Sequence, residues 1–219
     1  MDQPTKTNSN SGLAKFIYSL MLIFAIVFVF GTFFGHIVFF PFKVKGVSMQ
    51  PTLNAQSASS LDTVYLCAPR SISRGDIIVF DATNYANVEE GENIFIKRAI
   101  GLPGDTLYFK PSGVEKNGKI YYDIFVNGVK IEENYTKEPM WYDSLHPSVQ
   151  DANFFANYVL LSKKITLKKG EYFLMGDNRN NSTDSRFLGA IKKSDMVGKV
   201  VLHIKSNQTI IEALIQKIF

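Results

Sequence analysis

Residues 93–105 read "NIFIKRAIGLPGD", a short apolar run closed by a Pro-Gly turn. A run this short, bounded by turn residues, reads as a β-strand and not as a helix. The period of two puts Phe95, Lys97 and Ala99 on one face and Ile94, Ile96, Arg98 and Ile100 on the other, so whichever face is buried takes a cation with it. Two readings of Lys97 stay open. On an edge strand its ammonium points to water. Among apolar neighbours, desolvation lowers its pKa, by up to roughly 3–5 units at full burial, and makes it a base near neutral pH.

The same kind of run recurs on both sides: "TVYLCA" (63–68), "GDIIVFDA" (75–82), "DIFVNGVKI" (123–131), "YVLLS" (158–162), "EYFLMGD" (171–177) and "MVGKVVLHI" (196–204). Clusters of Gly, Pro, Asn and Asp separate them, and Asn127-Gly128 is a strong hairpin signal. The body is therefore all-β. Residues 111–169 are richer in Lys, Tyr, Asn and Pro, with weaker alternation, and read as an inserted subdomain or cap. At the C-terminus, residues 206–219 end in "TIIEALIQKIF". There Ile210, Ile211, Leu214, Ile215, Ile218 and Phe219 share one face of an amphipathic helix, too short to span a bilayer, that can pack on the body or lie at a membrane surface.

Ahead of this body, Phe16 to Phe40 contains no charged residue and exceeds the ~20 residues that cross a bilayer core. This is a transmembrane helix over 16–40 behind a tail of residues 1–15. The apolar stretch is too long for the core of a cleavable signal peptide and lacks a small-x-small site at its end. Lys6 and Lys15 before it balance Lys43 and Lys45 after it, so charge alone leaves its orientation open. The net charge of +4 is dispersed over lysine pairs and not gathered into a basic, aromatic-interleaved run, which argues against nucleic acid as a partner. Cys67, alone in the chain, can form no intramolecular disulfide and reads as a buried core thiol. No metal or cofactor is called for.

The stretch "GVSMQPTL" (46–53) raises the question of chemistry, because Ser48 stands in a turn shortly after the apolar segment ends. A serine hydroxyl becomes a nucleophile when a neighbouring base takes its proton. Three histidines are available: His36 in the membrane segment, His146 in the loop-like "DSLHPS", and His203 in an apolar strand. A Ser-His-Asp triad through His203 is possible, and Lys97 is the alternative base.

"GVSMQPTL", "GDIIVF", "KRAIGLPGD" and "GDNRNNSTDSR" follow a membrane helix in that order. Together they resemble the four conserved boxes of type I signal peptidases, over about Phe42 to Val201 without the insertion. The resemblance implies a membrane-bound serine endopeptidase that removes signal peptides from exported preproteins, with Ser48 as nucleophile and Lys97 as general base. It implies that Ser182 hydrogen-bonds the Lys97 amine and aims it at Ser48, and that Asp184 and Arg186 hold the last box as a pair, supported by Asp177 and Arg179. Phe42, Val44, Leu53, Val79 and Ile96 would line shallow pockets for small side chains. "FKVKG" (42–46) also alternates as an edge strand able to accept an extended peptide.

The family's fold is a catalytic body of coiled antiparallel sheets, here 41–110 and 170–205, with a β subdomain inserted as 111–169. The active site faces the exported side of a bacterial plasma membrane, which makes the N-terminal tail cytoplasmic. Two sequons, at Asn180 and Asn181, fall in the proposed site, where a glycan would obstruct chemistry, and so favour a bacterial membrane over an ER lumen. One departure concerns the oxyanion. Many relatives carry a serine two residues before the nucleophile; this chain has Gly46, so the Ser48 N–H carries more of that work. Two other readings are a self-cleaving repressor-type Ser/Lys peptidase, disfavoured by the membrane helix, and an inactive membrane-tethered β module that binds export partners.

Overall fold

The computed structural model describes residues 10–34, 40–54, 61–85, 88, 91, 93–114, 118–145, 149–161 and 163–218. The chain divides into two units, residues 1–38 and 39–219. The first contains α1 (Asn10–Phe34), in which Gly12–Val29 is apolar and long enough to cross a membrane, with none of it buried against protein. The segment expected over 16–40 is thus shifted. Lys15 interrupts the apolar run but not the helix, and Phe40, disfavoured from helical geometry by Pro41 behind it, pairs with Leu66 in a strand. His36 and His146 lie outside the described residues.

The second unit is mostly β-sheet. Its larger sheet contains β1 (Phe40–Lys43), β2 (Thr63–Cys67), β3 (Ile77–Asp81), β4 (Ile94–Gly101), β10 (Glu171–Met175), β11 (Ile191–Lys192) and β12 (Met196–Ile204). Their order is β1-β2-β12-β3-β4-β10-β11, and the pairs are antiparallel. β4 therefore lies between β3 and β10, and the edge reading of Lys97 falls: Ile96, Lys97, Ala99 and Ile100 are all buried. β1 and β11 are the edge strands.

The second sheet comes wholly from chain between β4 and β10: β5 (Thr106–Val114), β6 (Lys119–Val126), β7 (Val129–Lys130), β8 (Trp141–Asp143) and β9 (Ile165–Thr166). Asn127 at φ 52° and Gly128 at φ 89° make the β6–β7 turn foreseen from their dipeptide. The expected boundary at 110/111 falls inside β5. The apolar core crosses it as well, because Phe109, Tyr122 and Phe155 cluster with Ile100, Phe173 and Met175 of the larger sheet.

One expected strand is helical. Tyr158–Leu160 of "YVLLS" lies in a π-helical turn, Phe155–Leu160, that continues α2 (Val149–Phe154). Phe155 and Val159, four apart, are buried together, and the Phe155 ring stacks on Tyr142 at 4.0 Å. A buried helical face and a short buried strand look alike in so short an apolar run. After β12, α4 (Ile210–Ile218) starts at a capping box, with Thr209 N–H donating to Glu212 Oε2 at 2.8 Å. Its Ala213 is buried, while Ile210, Ile211, Leu214 and Ile215 are exposed.

Candidate active site

Ser48 sits in the turn that leaves β1. Gly46 opens the turn at φ +84°, a conformation that side chains with a Cβ rarely adopt. Met49 and Leu53, at 2% and 1% exposure, anchor the turn in an apolar cluster with Val44, Val64, Leu66, Val79 and Ile96. From the other side Asn178 clamps it: its N–H donates to the Ser48 carbonyl at 3.0 Å and its Nδ2 to the Val47 carbonyl at 3.1 Å.

Lys97 reaches this turn from β4. Its Nζ is 2.9 Å from Ser48 Oγ and 3.0 Å from the Ile96 carbonyl, and 5.1 Å from the centre of the Phe95 ring. Only 4% of the residue is exposed. Burial pushes its pKa down from 10.5 to about 8, and the Arg186 charge pushes the same way against the opposite pull of Asp184 and Asp177. An amine so tuned is neutral above about pH 8, and at this distance it is placed to accept a proton from the hydroxyl. His203 has another attachment, since its Nε2 lies 2.8 Å from Asp62 Oδ2.

Three ion pairs lie around Ser48 and Lys97. Asp184 and Arg186 pair at 2.9 Å, fully buried on the aspartate side. Burial alone would raise the Asp184 carboxyl, but Arg186 and the Gly176 N–H, which donates at 3.0 Å, hold it below its ordinary value. Asp184 also caps the short α3 (Ser185–Leu188), and Arg186 Nη2 donates to the Arg179 carbonyl at 2.6 Å. Asp177 and Arg179 support the loop, each through a partner elsewhere. Asp177 is held by Arg98 and by Thr52, while Arg179 forms a bidentate pair with Glu133. Burial opposes the Arg179 charge, and Glu133 more than offsets it, raising its pKa.

Glu133 also accepts from the Tyr135 hydroxyl at 2.7 Å, and Arg98 lies 4.1 Å above the Tyr135 ring. Burial raises the Tyr135 pKa. Glu133 and Tyr135 were not singled out in the sequence because they fall in "EENYTKEP", which has neither periodicity nor turn signature.

Two expected contacts differ. Ser182 does not bond Lys97: its hydroxyl is buried and unpartnered, pressed against Gly176, while the lysine amine is directed at Ser48 and Ile96. Of the five residues expected to line pockets, Phe42, Val44 and Ile96 border a groove and two do not. An open groove of about 1110 Å³ is lined by Phe42, Val44, Gly46, Ser48, Ile96, Lys97 and Ser182, with Trp141–Asp143 on a further wall. Leu53 and Val79 are not in it. Val79 pairs with Ile96 in the sheet, and both Leu53 and Val79 face the core beneath.

The family model described as signal peptidase, peptidase S26, matches residues 13–204. Signal peptidase I P of Bacillus subtilis subsp. natto is 35% identical over 189 residues, which cover 86% of each chain. Signal peptidase IB of Staphylococcus aureus strain N315 is 31% identical over 192 residues, 86% of this chain and 87% of that one. A crystal structure of a signal peptidase I from Enterococcus faecalis V583 aligns with a TM-score of 0.36 at 24% identity, over 60% of this chain and 98% of that one. A match across most of its length, together with relatives above 30% identity, establishes that the chain belongs to the signal peptidase family, peptidase S26.

Proposed function

We propose that this signal peptidase is a membrane-anchored serine endopeptidase that cuts signal peptides from exported preproteins with a Ser48/Lys97 dyad. The observation that carries the reading is the 2.9 Å approach of a buried amine, its pKa lowered to about 8, to Ser48 Oγ. The neutral amine takes the Ser48 proton as Oγ attacks the scissile carbonyl, then gives it to the leaving amine, and a water repeats the cycle on the acyl-enzyme. The Ser48 N–H, which has no acceptor among the described residues, is the main-chain donor for the oxyanion. The Ser182 hydroxyl, buried beside the site without a partner and making no bond to the base, can take a new bond when peptide binds.

The peptide lies extended along β1, with small side chains directed at Phe42, Val44 and Ile96. Residues 111–169 act as an inserted cap whose Glu133 and Tyr135 hold the arginines of the site. α1 anchors the protein in a bacterial plasma membrane, N-terminus cytoplasmic and Ser48 on the exported side.

The test is cleavage of a preprotein by the purified protein against its Ser48→Ala and Lys97→Ala forms. Either substitution should remove nearly all cleavage with folding intact, because the members of a dyad act as one unit. Full activity in Lys97→Ala would overturn the mechanism. An acylating inhibitor that leaves Ser48 unlabelled would indicate an inactive binding module.

A further inference from the structure

Asn54 is completely buried, at φ +54°, and its side chain takes the place of a bond in a β-ladder. The register of β1 on β2 pairs Lys43 with Thr63, so Val44 falls opposite Asp62. The Val44 N–H donates to the Asp62 carbonyl at 2.9 Å, as in a hydrogen-bonded antiparallel pair. The return bond, from Asp62 N–H to the Val44 carbonyl, is replaced. Asp62 N–H donates to Asn54 Oδ1 at 3.0 Å, and Asn54 Nδ2 donates to the Val44 carbonyl at 3.0 Å. The same Nδ2 donates to the Gly46 carbonyl at 3.0 Å.

The carboxamide is itself held. Asn54 N–H donates to Asp62 Oδ2 at 2.8 Å, and that carboxylate is fixed by His203 and by the Ser206 N–H. The left-handed backbone suits asparagine and glycine and penalises most other residues.

In a trans peptide the C=O and the following N–H point in opposite directions. With the Val44 N–H drawn to Asp62 and the Val44 and Gly46 carbonyls drawn to Asn54, the Lys43 carbonyl, the Lys45 N–H and the Val47 N–H are turned the other way. Lys43, Val44, Lys45, Gly46 and Val47 all line the groove that holds Ser48. We propose that Asn54 is a positioning residue for substrate: wedged between Val44 and Asp62, it sets the tilt and the exposed hydrogen-bonding edge of Lys43–Val47, on which an extended peptide docks as an added strand. This rests on the peptidase reading above and adds to it a residue that touches neither the peptide nor the dyad.

The test uses the full-length protein and two alanine-rich signal-peptide substrates, one extending several residues before the cleaved bond and one truncated to a single residue there. Asn54→Gly keeps the positive φ and removes the carboxamide. It should lower kcat/KM on the long substrate by on the order of 10²-fold, through KM, as expected for a displaced docking edge. Its activity on the truncated substrate and the midpoint of its pH profile should match wild type.

Unchanged cleavage of the long substrate, or an equal loss on both lengths, would overturn the proposal; the second result would mark a purely structural role. If Asn54→Gly does not fold, Asn54→Asp, which keeps backbone and volume but removes both Nδ2 bonds, takes the same comparison. An ester replacing the substrate amide that meets the Lys43 carbonyl gives a measurement on wild type itself: equal cleavage of ester and amide means that the edge does not dock peptide, and the proposal falls. A wild-type protein that cleaves no preprotein at all overturns the peptidase reading first, a result distinct from an active enzyme indifferent to Asn54.

Discussion

Arg98 grips both carboxylate oxygens of Asp177, Nε to Oδ1 at 2.8 Å and Nη2 to Oδ2 at 2.6 Å. Thr52 donates to the same Oδ2 at 2.5 Å. Arg98 follows the lysine, Asp177 opens the loop of Ser182, and Thr52 is in the turn of Ser48, so one carboxylate ties together the three segments that carry the site. Arg98→Ala leaves Asp177 buried and short of its charge partner, a loss of about 3–5 kcal/mol for pairs of this kind. Arg98→Lys keeps the charge but loses the bidentate geometry and the contact with Tyr135. It should melt between wild type and Arg98→Ala and lower kcat more than KM. A variant with wild-type melting temperature and kcat would show that this tie is dispensable.

The lowered Lys97 pKa predicts two pH dependences. kcat/KM should rise with pH through about 8 as the amine loses its proton. Folding stability should follow the same group. Below about pH 8 both folded and unfolded chains hold the proton, and the folded state bears the whole cost of burying it. Between about 8 and 10.5 the unfolded chain holds more protons, so stability rises with pH. Lys97→Met should abolish that rise and stabilise the protein at pH 7 by up to roughly 3 kcal/mol. Thermal unfolding of both proteins at pH 7 and pH 10 gives the comparison, and a Lys97→Met protein less stable at pH 7 would contradict a desolvated charge.

The strand of Lys97 and the hairpin at Asn127-Gly128 were legible because alternation and turn chemistry are local properties of the chain. The approach of Lys97 to Ser48 was legible only through motif order, since the two are 49 residues apart and meet where the turn after β1 packs against β4. Less local features were not. Tyr158–Leu160 is apolar enough for a strand, but it continues a helical stretch whose Phe155 packs on Tyr142 and Tyr122 and whose Val159 is buried. Arg179 could be recognised as a loop cation but not as the partner of Glu133, because nothing in a single sequence couples positions 46 residues apart. Leu53 and Val79 have the right chemistry for a pocket, but both are buried in the apolar cluster beneath the groove, Val79 within β3 and Leu53 at the end of the Ser48 turn, a placement that no local pattern reveals.

Gly176 is at a close approach that the sequence does not announce. A Cβ there would lie 2.5 Å from the Ser48 carbonyl oxygen and closer still to Ser182 Oγ. The Ser48 carbonyl is backbone, held by Asn178, and has little room to yield. Gly176→Ala should therefore shift the nucleophile turn and reduce kcat on the order of 10²-fold or more, in a protein that still folds. Combining it with Ser182→Gly removes the nearer clash and leaves the backbone one. Activity should remain low in the double variant; full recovery would trace the loss to Ser182 alone.

Gly46 tests the oxyanion site and the backbone at once. A serine there offers a hydroxyl near the Ser48 N–H, and space permits it, since a Cβ would meet nothing within 4 Å. The backbone does not, because φ is +84° and a residue with a Cβ pays about 1–2 kcal/mol in the left-handed region. Gly46→Ser should thus lower kcat, Gly46→Val should lower it further because branching adds bulk without a donor, and Gly46→Asn, which tolerates positive φ, should retain more activity than either. Measured on one peptide, with circular dichroism to verify folding, that ranking separates the effects. A serine variant more active than wild type would mean that the added donor outweighs the backbone cost and that position 46 borders the oxyanion, whereas equal activity of the serine and valine variants would remove position 46 from the oxyanion site.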